Sequence, residues 1–237
     1  MINKTIPYEL RAREYYSKMF YNSEWSNFFQ EFIQSQDFLD IMSNINNELQ
    51  QGKKITPNLS DIFRGFLTCK NPKVVFIAQD PYPKDNVADG IAFSCSNTNK
   101  PQPSLRYILK AIESTTGKKS IAEESCDLEL WSRQGVLMLN TALTTEKGKA
   151  GAHLKYWEPY ADYIMQKLNN HNEQLIFVFL GSISQKLATF INNPIHRMLF
   201  VKHPASAAYT GSKWDCNDIF NEINKILLKN SKEPIVW

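Results

Sequence analysis

Apolar residues follow two rhythms along this chain, and the change from one to the other divides it. From residue 9 to residue 50, large side chains recur every three to four positions, at Trp25, Phe28, Phe29, Phe32 and Ile33 and again at Phe38, Leu39, Ile41 and Met42. That period predicts at least two amphipathic helices. Residues 51–60 (QGKKITPNLS) break the pattern as a loop, and Ser60-Asp61 supplies a capping signal for a short helix over IFRGF. Beyond it the apolar residues gather into short unbroken runs: Val74-Val75-Phe76-Ile77-Ala78, Val136-Leu137-Met138-Leu139, Leu175-Ile176-Phe177-Val178-Phe179-Leu180 and Met198-Leu199-Phe200-Val201. Runs rich in Val, Ile and Phe without polar alternation suit strands covered on both faces. Amphipathic segments separate them and predict helices at 104–116, 157–170 and 182–191, with a last one at 214–229.

Strands alternating with helices predict an α/β fold: three layers, αβα, around a central, mostly parallel, four-stranded sheet. Right-handed crossovers would bring the C-terminal ends of all four strands to one edge. No repeat, low-complexity stretch or Gly/Ser/Pro-rich linker interrupts the sequence, so residues 1–237 are expected to form one domain, with 1–60 as its helical N-terminal part.

Composition narrows the setting. Hydrophobic residues make up 43% of the chain and charged residues 22%, enough apolar material for one core in a soluble protein. The net charge of +3 is too small for a strong field, so a nucleic-acid partner would have to be gripped by locally placed donors. Cys69, Cys95, Cys126 and Cys216 contain no CxxC and no metal-ligand spacing, and they read as reduced thiols. The first residues, MINKTIP, lack the apolar run and small-residue site of a signal peptide, and no stretch approaches the ~18 apolar residues that span a bilayer. A cytoplasmic protein without membrane contact is expected, and a monomer, since nothing suggests a dimer seam.

In open α/β sheets ligands bind beyond the carboxyl ends of the strands. The first strand here runs into Gln79-Asp80-Pro81-Tyr82-Pro83, the second ends in Asn140, the third in Gly181-Ser182 and the fourth in His203-Pro204. Each has an ordinary explanation taken alone. Asp and Asn are turn formers, Gly-Ser before a helix is a cap, and a single His is usually structural. Four such endings on one edge point instead to a site built from a carboxylate, an amide, a small donor loop and an imidazole. Spacing alone does not name its reaction.

These segments resemble the family 1 uracil-DNA glycosylases over roughly residues 25–237. Gln79-Asp80-Pro81-Tyr82 is similar to the family's water-activating motif, and Gly90-Ile91-Ala92-Phe93-Ser94 follows at the expected distance. Pro101-Gln102-Pro103-Ser104-Leu105 resembles the proline-rich DNA loop. Trp131 to Thr141 resembles the Asn-bearing strand, a match that His153 and Trp157 continue. Gly181-Ser182 is similar to the glycine-serine loop, His203-Pro204 to the start of the DNA-intercalation loop, and Glu233 to Trp237 to the family ending.

The resemblance implies a cofactor-free, metal-free enzyme that flips uracil out of DNA and hydrolyses its bond to deoxyribose. Phe93 would stack on the base, and Asn140 would pair with its edge, because an amide offers one donor and one acceptor. Tyr82 would exclude the thymine methyl group, and Gln79 would help hold the base through its main chain. His203 would donate to the uracil oxygen where negative charge grows. Asp80 would stabilise the cationic sugar and position the attacking water. Ser104, Gly181, Ser182 and Ser206 would contact the DNA backbone. Lys147 and Lys149 would add charge there or simply lie on a solvated loop. The family also implies inhibition by acidic, DNA-mimicking proteins.

Two positions depart from the family pattern. Pro83 stands where a His is usual, as it does in poxvirus members. After His203 the usual wedge-bearing His-Pro-Ser-Pro-Leu-Ser is replaced by His203-Pro204-Ala205-Ser206-Ala207-Ala208-Tyr209. An ungapped match puts Ala207 at the wedge, where it is too small. Either Tyr209 wedges into the base stack or the enzyme favours single-stranded DNA. A glycosylase-like binding module without catalysis is the second reading. A serine hydrolase using Ser182 and His203 is the third, and it lacks the GxSxG elbow.

Overall fold

A computed structural model of the chain describes residues 6–98 and 100–237, so the reading of MINKTIP lies mostly outside the described residues. Three helices come first: α1 (Tyr8–Phe20), α2 (Ser26–Gln34) and α3 (Gln36–Gln50). Next are β1 (Ile55–Thr56), α4 (Arg64–Thr68), β2 (Val74–Ala78), α5 (Pro103–Thr116), α6 (Glu129–Ser132), β3 (Val136–Asn140) and β4 (Thr145–Glu146). The chain closes with α7 (Leu154–Asn169), β5 (Ile176–Leu180), α8 (Gly181–Gln185), β6 (Arg197–Val201), α9 (Pro204–Thr210) and α10 (Ile219–Lys229).

The four apolar runs are the central sheet, in the order β3-β2-β5-β6 with every pairing parallel. Their unbroken hydrophobicity has a simple cause. Successive residues point to opposite faces, and both faces are covered at β2, β3 and β5; β6 departs from the expectation, because as the edge strand it leaves Met198 and Phe200 40% and 46% exposed. Val74, Phe76, Val136, Met138, Ile176 and Val178 join one buried cluster with α5 and α10. Val75, Ile77, Leu137, Leu139, Phe177 and Phe179 join the other with α1, α2, α3 and α7. The fold is therefore the expected αβα arrangement. The chain leaves β2 toward β3 on one side and returns to β5 on the other, so β2 borders the point where strand order reverses, the usual place for a ligand crevice.

Several boundaries differ from the sequence reading. The helix expected over 182–191 is α8 followed by a tighter 3-10 turn over Lys186–Phe190. The last helix begins at Ile219, because Asn217 and Asp218 adopt left-handed backbone just before it. The segment after His203, expected as a loop, is the helix α9. No helix among the described residues is long and apolar enough to cross a membrane.

Candidate active site

Beyond the sheet, the exits of β2 and β3 are tied together. Ala78 is in register with Asn140, Thr141 N–H donates to the Ala78 carbonyl at 3.1 Å, and the Gln79 carbonyl accepts from Ala142 N–H at 3.0 Å and Thr141 Oγ1 at 2.7 Å. Asp80 and Asn140 are thus held at adjacent strand ends. The Gln79 carbonyl is fully occupied by these bonds.

Asp80 is partly buried, and its Oδ2 accepts the Gly151 N–H at 2.5 Å. Burial pushes its carboxyl above the ordinary range, while that N–H and the Gln79 amide pull the other way. Asn140 is half-buried, and its side-chain amide has no hydrogen-bond partner among the described residues. With Tyr82 and Phe93 it lines a narrow cavity, closed behind by Ile62, Phe66 and Leu143, with about 20 Å³ of free space.

Phe93 is 8% exposed and holds φ at +64°, a left-handed backbone that costs a non-glycine residue about 1–3 kcal/mol. Its surroundings explain why it stays there. The Asp89 carboxylate accepts from Ile91 N–H (3.2 Å), Ser94 Oγ (2.6 Å), Ser96 N–H (3.0 Å) and Ser96 Oγ (2.7 Å), wrapping the loop around itself. Arg64 Nη1 lies 3.1 Å from Asp89 and ties it to α4. The Tyr82 hydroxyl donates to the Phe93 carbonyl at 3.1 Å. Asp89 and Arg64 had no sequence signal, because their function is visible only in the bonds they make.

The ring of Phe93 lies 5.5 Å from that of His203, tilted by 44°. His203 caps α9: its Nδ1 accepts the Ala205 N–H at 3.2 Å. With Nδ1 an acceptor, the neutral ring carries its proton on Nε2. Burial pushes the imidazole down to about 4. Gly181 packs against this residue. A Cβ there would come within 2.9 Å of the His203 Cβ, and φ is +81°, so glycine alone fits without displacing the imidazole.

The depressed His203 has a measurable consequence. Between its ordinary 6.5 and about 4, the unfolded chain binds a proton that the folded one does not, so stability falls as pH drops through that window. Denaturant unfolding from pH 7 to pH 4.5 should show this loss, and His203→Gln should reduce the slope. An equal slope in both proteins would mean the folded imidazole titrates normally.

The residues expected at DNA divide. Ser182 and Ser206 are exposed, although Ser206 Oγ donates to the His203 carbonyl at 2.7 Å. Ser104, in the first turn of α5, is 8% exposed. Ala207 is corrected: it is 4% exposed and belongs to the hydrophobic core, because the turn of α9 rotates it inward, so it offers DNA no surface here. Tyr209, two residues on and across the helix, is 91% exposed. Lys147 pairs with Asp85, and Lys149 lies 2.8 Å from Glu146. The four cysteines are free and buried, and among the described residues no group of three or more His, Cys, Asp or Glu could hold a metal ion.

Fold and site together define a parallel α/β protein with an acid, an amide and a neutral imidazole at one sheet edge. The family model for the uracil DNA glycosylase superfamily matches residues 65–228, and the chain belongs to that superfamily. It is 34% identical over 219 residues to the uracil-DNA glycosylase of Campylobacter jejuni subsp. doylei, covering 91% of this chain and 93% of that one. It is 35% identical over 220 residues to the uracil-DNA glycosylase of Vibrio campbellii, covering 90% and 95%. Among solved structures, mimivirus uracil-DNA glycosylase superposes with a TM-score of 0.79 at 25% identity, covering 90% of this chain and 86% of that one. A mimivirus UNG variant in complex with UGI gives 0.80 at 26%, covering 90% and 87%.

Proposed function

We propose that this protein hydrolyses the bond between uracil and deoxyribose in DNA, releasing free uracil and leaving an abasic site. The observation that carries the reading is the His203 hydrogen bond: with Nδ1 filled by Ala205, the Nε2 proton is left to meet an oxygen that becomes anionic as the bond breaks. A preorganised donor beside developing charge is worth about 10²–10³ in rate. In this reading Asp80 stays ionised near the sugar and orients water, Phe93 stacks on the flipped base, and the unpartnered Asn140 amide reads its edge. Tyr82, anchored on the Phe93 carbonyl, fills the space a thymine methyl group would need. No step calls for a metal or organic cofactor.

The test is release of abasic sites, cut by hot alkali, from oligonucleotides carrying a single uracil, thymine or cytosine. Cleavage at uracil alone supports the reading, and none at uracil favours a binding module. Within the superfamily we place the chain in family 1 on its Gln79-to-Tyr82 and Trp131-to-Thr141 segments, and we take residues 1–237 as one domain, since the N-terminal helices share a core with the sheet. The enzyme would act as a monomer inside the cell. A UGI-like acidic protein, as held by the mimivirus UNG variant, is a candidate inhibitor. Ser182, Ser206 and the Gly181 backbone remain our choices for phosphate contact.

Tyr209 is the candidate wedge, because its exposure of 91% leaves the ring free to enter a base stack. Tyr209→Ala should lower the rate on duplex DNA by about tenfold, since unstacking a base costs a few kcal/mol, and leave the single-strand rate nearly unchanged. Equal effects on both substrates would remove Tyr209 from this role.

A further inference from the structure

Asp80 takes its shortest contact from backbone. The Gly151 N–H that meets Oδ2 at 2.5 Å lies in the segment joining β4 to α7, at a left-handed φ of +77°. Two residues later the same segment ends in His153, which is wholly buried and uses both ring nitrogens. Nδ1 is 2.8 Å from Thr144 Oγ1, and Nε2 is 2.8 Å from Glu48 Oε2. Thr144 Oγ1 accepts the Trp157 indole N–H at 2.8 Å, which leaves its own proton for His153 Nδ1. The imidazole proton then sits on Nε2 and points at Glu48, and every group in the chain of bonds is satisfied.

Glu48, near the end of α3, is 8% exposed. Burial alone would push its carboxyl up, but donors from Lys53 at 3.0 Å, from His153 and from the Tyr156 hydroxyl at 3.1 Å outweigh that and hold it below the ordinary range. A buried pair of this kind is a poor way to fasten α3 to α7, because apolar side chains of similar size do so at no desolvation cost. What an apolar pair could not do is fix the rotation and height of the chain at His153, two residues from the N–H on Asp80.

We propose that the Glu48–His153 pair is a positioning device for Asp80, holding the Gly151 N–H on the carboxylate and thereby keeping that carboxylate both oriented and ionised. The inference rests on Asp80 acting in the reaction proposed above. The charged and titratable groups facing this assembly are few. His153 is the titratable side chain on the Asp80 side, with the Gln79 amide beside the carboxylate. Lys53 and Tyr156 face Glu48, and Glu146 lies 3.8 Å from Lys53.

Glu48→Gln keeps the shape and removes the charge. Its carboxamide holds His153 less firmly, so Gly151 should drift from Asp80 and the Asp80 titration should move to higher pH. Carbon-13 NMR of the carboxyl groups, with the Asp80 signal assigned by its loss in Asp80→Asn, reads this without any need for activity. The acid limb of kcat/KM should move in the same direction. At neutral pH, kcat should fall about tenfold with KM within about twofold, the mark of lost orientation. A lower melting temperature with an unmoved Asp80 titration and unchanged kcat would overturn the proposal and leave a structural tie. If wild type releases no uracil, the proposed function fails, yet the NMR titration still tests the device. Should Glu48→Gln not fold, Tyr156→Phe removes one donor to Glu48 and should shift Asp80 the same way by less; no shift there overturns the proposal equally.

Discussion

Asp80→Asn is expected to lower kcat for uracil release by about 10³-fold or more while KM stays within about twofold. The amide is nearly isosteric and still offers an oxygen to the Gly151 N–H, so the loop that holds it should not move. What disappears is negative charge beside a sugar that becomes cationic as the bond breaks. Charge complementary only to the transition state changes kcat and leaves binding alone. Single-turnover release of uracil from a labelled oligonucleotide gives the rate, and titration of the same oligonucleotide gives the affinity. A loss below tenfold would mean that the charge opposing the sugar comes from elsewhere.

Asn140→Asp should act on recognition. The amide has no partner within the described protein, so the substitution breaks no internal bond, and the melting temperature should hardly change at neutral pH. A carboxylate, however, offers only acceptors. One edge of uracil would lose its donor and face a negative charge inside a closed site. Sites built to pair with a polar edge reject a mismatched partner by about 10⁴. We expect kcat/KM to fall by that order, with weakened binding of free uracil measured by calorimetry. Unchanged affinity for free uracil would show that another residue reads the base.

The sheet was legible because four apolar runs without alternation have few physical alternatives, and the strand ends followed from topology. Asp80, Asn140 and His203 were legible for the same reason: each ends a strand or lies two residues beyond its end. Four features were not. Helix α9 escaped notice because its residues were matched to an extended loop, although Pro204 at its first turn and the alanines after it favour a helix. That error put Ala207 on the surface when it faces the core. The Glu48–His153 contact joins residues 105 positions apart, which no local pattern encodes. Gly151 was one glycine in a polar loop, and its value lies in an N–H, a group every residue but proline carries. Phe93 stood in a recognisable motif, but its left-handed backbone and the Asp89 turn behind it are tertiary facts.

Because His203 is the cap of α9, its ring and the exposed end of that helix form one lever. The Ala205 N–H fixes the imidazole from one side, and Ser206 fixes the carbonyl of the same residue from the other. Tyr209 rides on the far arm, less than two turns away. If Tyr209 meets DNA as proposed, a push on the tyrosine should be passed along this helix to the imidazole, so that grip and catalytic aim are coupled. Softening that coupling, for instance with a glycine at Ala205, should let the two ends move independently.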